Sequence, residues 1–228
     1  MQQIGYYSTN LQAEPVSFSK ALLKGIAPDG GLYMPDHFPS FTQKELAGQK
    51  DKTYDQIAFA ILNKFLAAEM AEEELLALVK EAYNFEVPLE HIYDKKYVMR
   101  LDRGPTASFK DFAARMMARL MSYFLAKENR ELLILTATSG DTGSAIANAF
   151  YGLDNISVVV LFPEREVTDR QRKQMTTLKK NIYIIALDGK FDDCQALVKK
   201  AFADNDLDDL NLSSANSINI GRLLPQAG

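Results

Sequence analysis

A chain of 228 residues with 47% hydrophobic and 25% charged side chains has the composition of a globular protein and can form one large or two modest domains, each with a core. Its formal net charge of −4, with no long basic run and no interleaved aromatics, argues against a nucleic-acid surface. The single cysteine, Cys194, excludes an internal disulfide, and with His37 and His91 as the only histidines the sequence argues against a metal site. No basic-plus-apolar leader opens the chain and no apolar run is long enough to span a bilayer, which points to the cytoplasm.

In chain order, apolar residues recur at helical spacing over 54–67 and 72–83, and the first part of the chain shows no βαβ rhythm. Residues 1–95 are therefore expected to be a separate, mostly helical N-terminal domain. Val87-Pro88 and the polar run from His91 to Lys96 mark a boundary, after which strands and helices alternate as in an α/β protein with parallel βαβ units. Strands are predicted at 97–101, 131–137, 156–162 and 182–187, and helices near 108–127, 142–152, 168–178 and 192–203. The unbroken apolar run Val158-Val-Val-Leu-Phe162 suits a parallel strand covered on both faces. Cys194 is expected to face the core together with Leu197, Val198, Ala201 and Phe202. The basic residues of 165–173 are interrupted by acids and read as a solvated helix face.

Two segments carry chemistry. In the run from Leu101 to Met117, Gly104-Pro105 marks a turn, Thr106 or Ser108 can cap a helix, and Phe109, Phe112, Ala113, Met116, Leu120 and Phe124 then recur at helical spacing. Lys110 falls in the first turn of this helix, where the helix dipole and desolvation by apolar neighbours both favour the neutral amine. An ordinary lysine has a pKa near 10.4, so only about one in a few thousand is nucleophilic at neutral pH. Bringing it to about 7 amounts to roughly 4–5 kcal/mol, which burial and a helix N-terminus can supply together. Lys110 is thus either a Schiff-base lysine or a lysine whose stem packs on Phe109 and Phe112 while its head reaches solvent.

The second segment, Leu132-Leu-Ile-Leu-Thr-Ala-Thr138-Ser-Gly-Asp-Thr-Gly143, reads as a buried strand, a polar glycine turn and a helix start. Such a turn offers backbone amides and hydroxyls to a phosphate or carboxylate, or is an ordinary capped turn. It has neither the lysine of a nucleotide P-loop nor the spacing of a dinucleotide fingerprint.

Four segments together resemble the threonine synthases of the fold-type II pyridoxal-phosphate enzymes. They are Lys24-Gly-Ile-Ala-Pro-Asp-Gly-Gly-Leu-Tyr-Met-Pro35, Gly104-Pro-Thr-Ala-Ser-Phe-Lys-Asp-Phe112, Ala137-Thr-Ser-Gly-Asp-Thr-Gly143 and Ser214-Ala-Asn-Ser-Ile-Asn-Ile-Gly-Arg222. The resemblance implies an α/β fold of the tryptophan synthase β-like type, apparently truncated. Residues 96–228 would be the first part of the pyridoxal-phosphate region and 131–210 its small mobile βαβ subdomain.

The same resemblance implies a lyase of threonine biosynthesis that converts O-phospho-L-homoserine and water to L-threonine and phosphate. Lys110 would form the Schiff base with pyridoxal 5'-phosphate and shuttle protons. Phe109 and Asp141 would also contact the cofactor, and Thr138, Ser139, Thr142, Asn216, Ser217 and Arg222 would bind the substrate. Asp141 stands where related enzymes often have asparagine, and Asn10 where many have arginine. Asn216, Ser217 and Arg222 can share one pocket only if the first two precede or cap a helix. In the family the phosphate loop and the partner of the pyridine nitrogen lie downstream of residue 228, so the chain alone is expected to be inactive. The competing readings are another fold-type II lyase such as a threonine dehydratase or a cysteine synthase, or a non-catalytic phosphate-binding module. No nucleic-acid or membrane partner is expected, and an oligomer is left open.

Overall fold

The structure is a computed structural model that describes residues 3–226. The described residues divide into two compact units, one made of residues 3–100 with 217–226 and the other of residues 101–216. No helix among the described residues is long and apolar enough to cross a membrane.

In the first unit, helices α3 (Tyr54–Leu66) and α4 (Glu72–Ala82) form at the predicted places. Each buries one stripe at a spacing of three or four residues, Ala58, Leu62 and Leu66 on α3 and Leu75, Val79 and Ala82 on α4. Burying each of these leucines contributes about 1.5–3 kcal/mol. Helix α1 (Phe18–Lys24) starts at Ser17 and ends at Gly25, and the Glu69 carboxylate accepts from the amides of Phe18 and Ser19 at its open N-terminus (2.7 and 3.0 Å). Strand β1 (Tyr6–Ser8) pairs antiparallel with β2 (Tyr33–Pro35).

These pieces are gathered by Asp29. Its Oδ1 accepts from Ser8 Oγ (2.6 Å) and the Gly31 amide (2.9 Å), and its Oδ2 from the amides of Gln12 (3.0 Å) and Ala13 (2.9 Å). The Ser8 hydrogen bond first, then the backbone amides, hold this carboxyl below its ordinary range. Gly31 has to be glycine, because a Cβ there would lie 2.1 Å from Ser8 Oγ and 2.8 Å from the Asn10 amide. Asn10 donates from Nδ2 to the Asp29 carbonyl (2.9 Å).

Strands β3 (Leu89–Tyr93) and β4 (Lys96–Met99) form an antiparallel hairpin in this unit, with every residue exposed. The strand expected at 97–101 as the start of the parallel rhythm is therefore corrected. Its apolar residues pair with the preceding segment across a two-residue turn, where Asp94 adopts a positive φ of 50°.

The second unit holds a four-stranded parallel sheet in the order β7-β6-β5-β8. Its strands are β5 (Leu132–Ala137), β6 (Ile156–Pro163), β7 (Ile182–Leu187) and the short β8 (Leu212–Ser213). The registers Leu135↔Val159 and Val159↔Tyr183 place these residues on one face. That face is covered by α8 (Phe191–Phe202), where Leu135, Ala137, Leu161, Cys194 and Val198 form a cluster with Ala201 at its margin. Burial raises the Cys194 thiol above its ordinary range. Leu197 and Phe202, expected in the core, are each 44% exposed, because the stripe of α8 that faces β5 and β6 is the one carrying Cys194 and Val198. The 19-residue α5 (Lys110–Glu128) and α6 (Asp141–Phe150) pack together, and α7 (Asp169–Thr176) packs on α6.

Helix α2 (Gln43–Ala47) gives a pH test. Glu45 accepts from Lys64 Nζ (2.7 Å) and from the amide and hydroxyl of its cap residue Thr42 (2.7 and 2.9 Å). The Lys64 hydrogen bond is the largest of the causes that lower this carboxyl from about 4.5 to about 2. A carboxyl lowered in the folded state stabilises the fold above its unfolded value, and that contribution is lost as the pH falls toward the folded value. Urea unfolding followed from about pH 5 down to about pH 2 is therefore expected to show a shallower loss of stability for Glu45→Gln than for the parent. Equal slopes contradict the assignment.

Candidate active site

Helix α5 carries Lys110 as its first residue, and the loop before it is shaped by the fully buried Asp111. Asp111 Oδ1 accepts from Thr106 Oγ1 (2.6 Å) and Oδ2 from the Thr106 amide (2.9 Å). The acid of the first helical turn thus reaches back to Thr106, reversing the expected direction of the cap. It also complements the helix dipole beside the lysine. A Cβ on Gly104 would sit 2.4 Å from Asp111 Oδ2, and Ala107 adopts a left-handed φ of 56° to complete the turn. Ser108 Oγ accepts from the Lys110 amide (3.3 Å), while the residue at the N-cap position is Phe109.

This loop presents Lys110 half-buried rather than enclosed. Its Nζ lies 4.6 Å from the centre of the Phe109 ring, and it has no hydrogen-bond or ion-pair partner among the described residues. Phe109 itself is 49% exposed. The face of an aromatic ring attracts the ammonium only weakly, by about 0.5–1 kcal/mol at such a site. The amine is held in place without being committed to a carboxylate.

The second loop joins β5 to α6. Thr138 is buried, and its Oγ1 accepts from the amides of Gly140 (3.0 Å) and Gly143 (2.8 Å). One side-chain oxygen therefore folds the turn and takes two of the amides that a helix start would leave without partners. Gly140 sits at φ 142° and ψ −92°, where a side chain is strained. At Gly143 a Cβ would lie 2.4 Å from Thr138 Cγ2. Thr138 is thus committed to the loop, and what the loop presents outward is Ser139, Asp141, Thr142 and two backbone amides. The amides of Asp141 and Thr142 have no acceptor among the described residues and lie at the positive end of the ten-residue α6. Asp141 Oδ1 accepts from Gln171 Nε2 (2.7 Å).

Helix α7 brings the two loops to one place. Gln171 reaches Asp141, and one turn further along the same helix Gln174 Nε2 donates to the Thr106 carbonyl (3.5 Å), in the loop that precedes Lys110. Three residues of helix rise only about 4.5 Å, so the Lys110 loop and the Asp141 loop lie against neighbouring turns of one element. The sequence reading of 165–173 as a solvated face missed Gln171, and Gln174 lies just beyond that range. The available signal was Thr168-x-x-Gln171, a capping-box pattern that fixes where α7 begins.

In the last motif, Asn216 Oδ1 accepts from Thr136 Oγ1 of β5 (3.1 Å). Ser217 and Arg222 belong to the first unit, so they are described separately from the Lys110 and Asp141 loops. Ser217 is exposed, and the cap of the short α9 (Ile220–Leu223) is Asn219, whose Oδ1 accepts from the Gly221 amide (2.8 Å) and whose Nδ2 donates to the Leu22 carbonyl (2.9 Å). Asn216 and Ser217 precede this helix. Arg222 is 4% exposed rather than on the surface, and burial lowers its guanidinium from its ordinary range.

The site thus offers an amine able to bond an aldehyde and, on a neighbouring loop, open amides able to receive an anion. The sequence model of the pyridoxal-phosphate dependent enzymes matches residues 87–220, more than half of the chain, and the chain belongs to that family. Within it the resemblance is to the threonine synthases, since the model described as the threonine synthase N terminus matches residues 5–83. The chain is 43% identical over 222 residues to a threonine synthase of Buchnera aphidicola and 41% identical over 221 residues to that of Escherichia coli, covering 96% of this chain in each case. It covers 52% and 51% of those two proteins, so it spans about half the length of the relatives it matches. A crystal structure of pyridoxal-phosphate-bound threonine synthase from Brucella melitensis superposes with a TM-score of 0.93 at 40% identity, covering 98% of this chain and 50% of that one. These matches agree with the fold-type II α/β architecture read from the sequence.

The Thr138 arrangement is open to direct test. Thr138→Val keeps the shape and removes the acceptor of two amides, and is expected to lower unfolding stability by about 1–3 kcal/mol in urea titrations. A loss below about 0.5 kcal/mol contradicts the assigned role of this hydroxyl.

Proposed function

We propose that this chain is the half of a threonine synthase that carries the reactive lysine and the substrate loops. The reaction is the conversion of O-phospho-L-homoserine and water to L-threonine and phosphate. The observation that carries the reading is Lys110 itself, an amine without a partner, set by Asp111 and Thr106 next to a loop whose helix-start amides are open. When bound, pyridoxal phosphate supplies an aldehyde for an amine and an electron sink that acidifies the carbon bearing the substrate's amino group.

The chain's own residues do the rest. Lys110 Nζ is the amine that would hold the cofactor, and as a free amine it would be a base at a fixed point, able to take a proton from the α-carbon and to assist removal of one from the β-carbon. Phe109 packs beside that nitrogen, and Asp141 would contact the cofactor. The Asp141 and Thr142 amides and the Ser139 and Thr142 hydroxyls receive the substrate's anionic groups, and their stabilisation grows as charge develops on the departing phosphate. Thr138 keeps the loop in shape. Asn216, Ser217 and Arg222 are assigned to the substrate's phosphate, for which the planar fork of an arginine suits two oxygens at once. The phosphorylated substrate, rather than threonine or O-acetylserine, is favoured by the match of residues 5–83 to the threonine synthase N terminus.

The test is phosphate release in a polypeptide of the relatives' length that begins with this chain. It is expected to liberate phosphate from O-phosphohomoserine and no ammonia from threonine, with Lys110→Ala lowering turnover by about 100- to 10,000-fold. Unchanged turnover in Lys110→Ala contradicts the role of Lys110, and ammonia release from threonine in place of phosphate release contradicts the substrate.

A further inference from the structure

We propose that Gln171 is a positioning residue for this site, acting through Asp141 and the Gly140 turn. The inference rests on the reading of residues 138–143 as the loop that meets the anionic substrate and the cofactor. Its starting point is the polarity of one side chain. Gln171 Oε1 accepts from both the amide (3.1 Å) and the hydroxyl (2.9 Å) of Thr168, the residue that caps α7, while the Gln171 amide donates back to Thr168 Oγ1 (3.3 Å). With its oxygen committed to two donors, the carboxamide has one sense, and Nε2 points away from the cap. It donates to Asp141 Oδ1 at 2.7 Å.

The same group also lies against the turn. A Cβ on Gly140 would sit 2.4 Å from Gln171 Nε2 and 2.6 Å from its Cδ, so the turn reaches its φ of 142° with the carboxamide in the space a side chain would need. The Gln171 carbonyl accepts from Ser144 Oγ (3.4 Å) in the first turn of α6. One residue thus touches Gly140, Asp141 and Ser144, while Gln174, one turn on, reaches the loop before Lys110.

Capping alone does not call for this residue. Glutamate in the same place serves a Thr168 cap equally well, because only the acceptor is used. Glutamine is required when the other end of the group has to donate, and here the acceptor is a carboxylate. The hydrogen bond fixes Asp141 Oδ1 and leaves its second oxygen without a hydrogen-bond partner among the described residues. It gives an acid a neutral donor in a place intended for anions, without adding a competing positive charge.

The test is a polarity swap in the 228-residue protein, read by amide hydrogen exchange at residues 140–144 with no ligand present. Gln171→Glu retains the acceptors for Thr168 and sets two carboxylates against each other. It is expected to speed exchange in this turn by about tenfold while leaving the first turn of α7 unchanged. Combining it with Asp141→Asn restores one donor and one acceptor with the polarity reversed, and is expected to bring exchange back to within about threefold of the parent. A role limited to capping predicts no change in the first variant and no rescue in the second, and either result overturns the proposal. If Gln171→Glu alone fails to fold, recovery of the folded state in the double variant upholds the proposal and failure to recover overturns it. The assigned function fails separately: the longer polypeptide would then release no phosphate from O-phosphohomoserine, whatever the exchange pattern shows.

Discussion

The hydroxyl of Thr138 is the interaction on which the site depends. A parallel strand that turns directly into a helix leaves the first amides of that helix without acceptors. Here a single buried oxygen takes the amides of Gly140 and Gly143, and those of Asp141 and Thr142 stay open. The division fixes what the loop can do. The hydrogen bonds that hold it together are inside, and the open groups face outward at the positive end of α6. A serine-, threonine- and glycine-rich turn has enough small polar residues to do both jobs. Glycine at 140 and 143 is required because the backbone lies against Gln171 on one side and Thr138 on the other.

Lys110 is prepared by a different device with the same logic. Asp111, the next residue along the helix, takes both hydrogen bonds that Thr106 offers and is fully buried by the turn it organises. The acid satisfies the helix start, and the lysine beside it does not have to. An amine without an ion pair at the head of a helix is one that binding or chemistry can use. Pairing Lys110 with a carboxylate would give a better folded surface and a worse nucleophile.

Much of this was legible in the sequence. The strands expected at 131–137, 156–162 and 182–187 and the four helices around them appear within a few residues of their predicted bounds, because strongly periodic apolar runs bounded by turn residues leave few alternatives. Lys110, Ser139, Asp141 and Thr142 were picked out by motif, and they fall on two loops that α7 holds together. What the sequence concealed was the identity of the supporting partners. Gln171 and Gln174 lie in a polar helix where nothing in the periodicity separates a glutamine that meets solvent from one that meets a loop. Asp111 was hidden by its neighbour, since an aspartate in a first turn reads as a dipole effect rather than as a carboxylate that folds the preceding five residues. The hairpin at 89–99 was misassigned because a short apolar run looks the same whether its partner is parallel or antiparallel. Asp29 shows the limit from the other side: the block Asp29-Gly-Gly-Leu-Tyr-Met-Pro35 was recognised as a family mark, and its physical content is a carboxylate that gathers four donors from the start of the chain.

The account stands or falls on the chemistry of one nitrogen. In the longer polypeptide, borohydride reduction in the presence of pyridoxal phosphate fixes the cofactor to whichever amine has bonded to it, and peptide mapping locates that amine. The result predicted is a phosphopyridoxyl group on Lys110 Nζ, lost in Lys110→Ala. Label distributed over other lysines, with the same yield in Lys110→Ala, would contradict it.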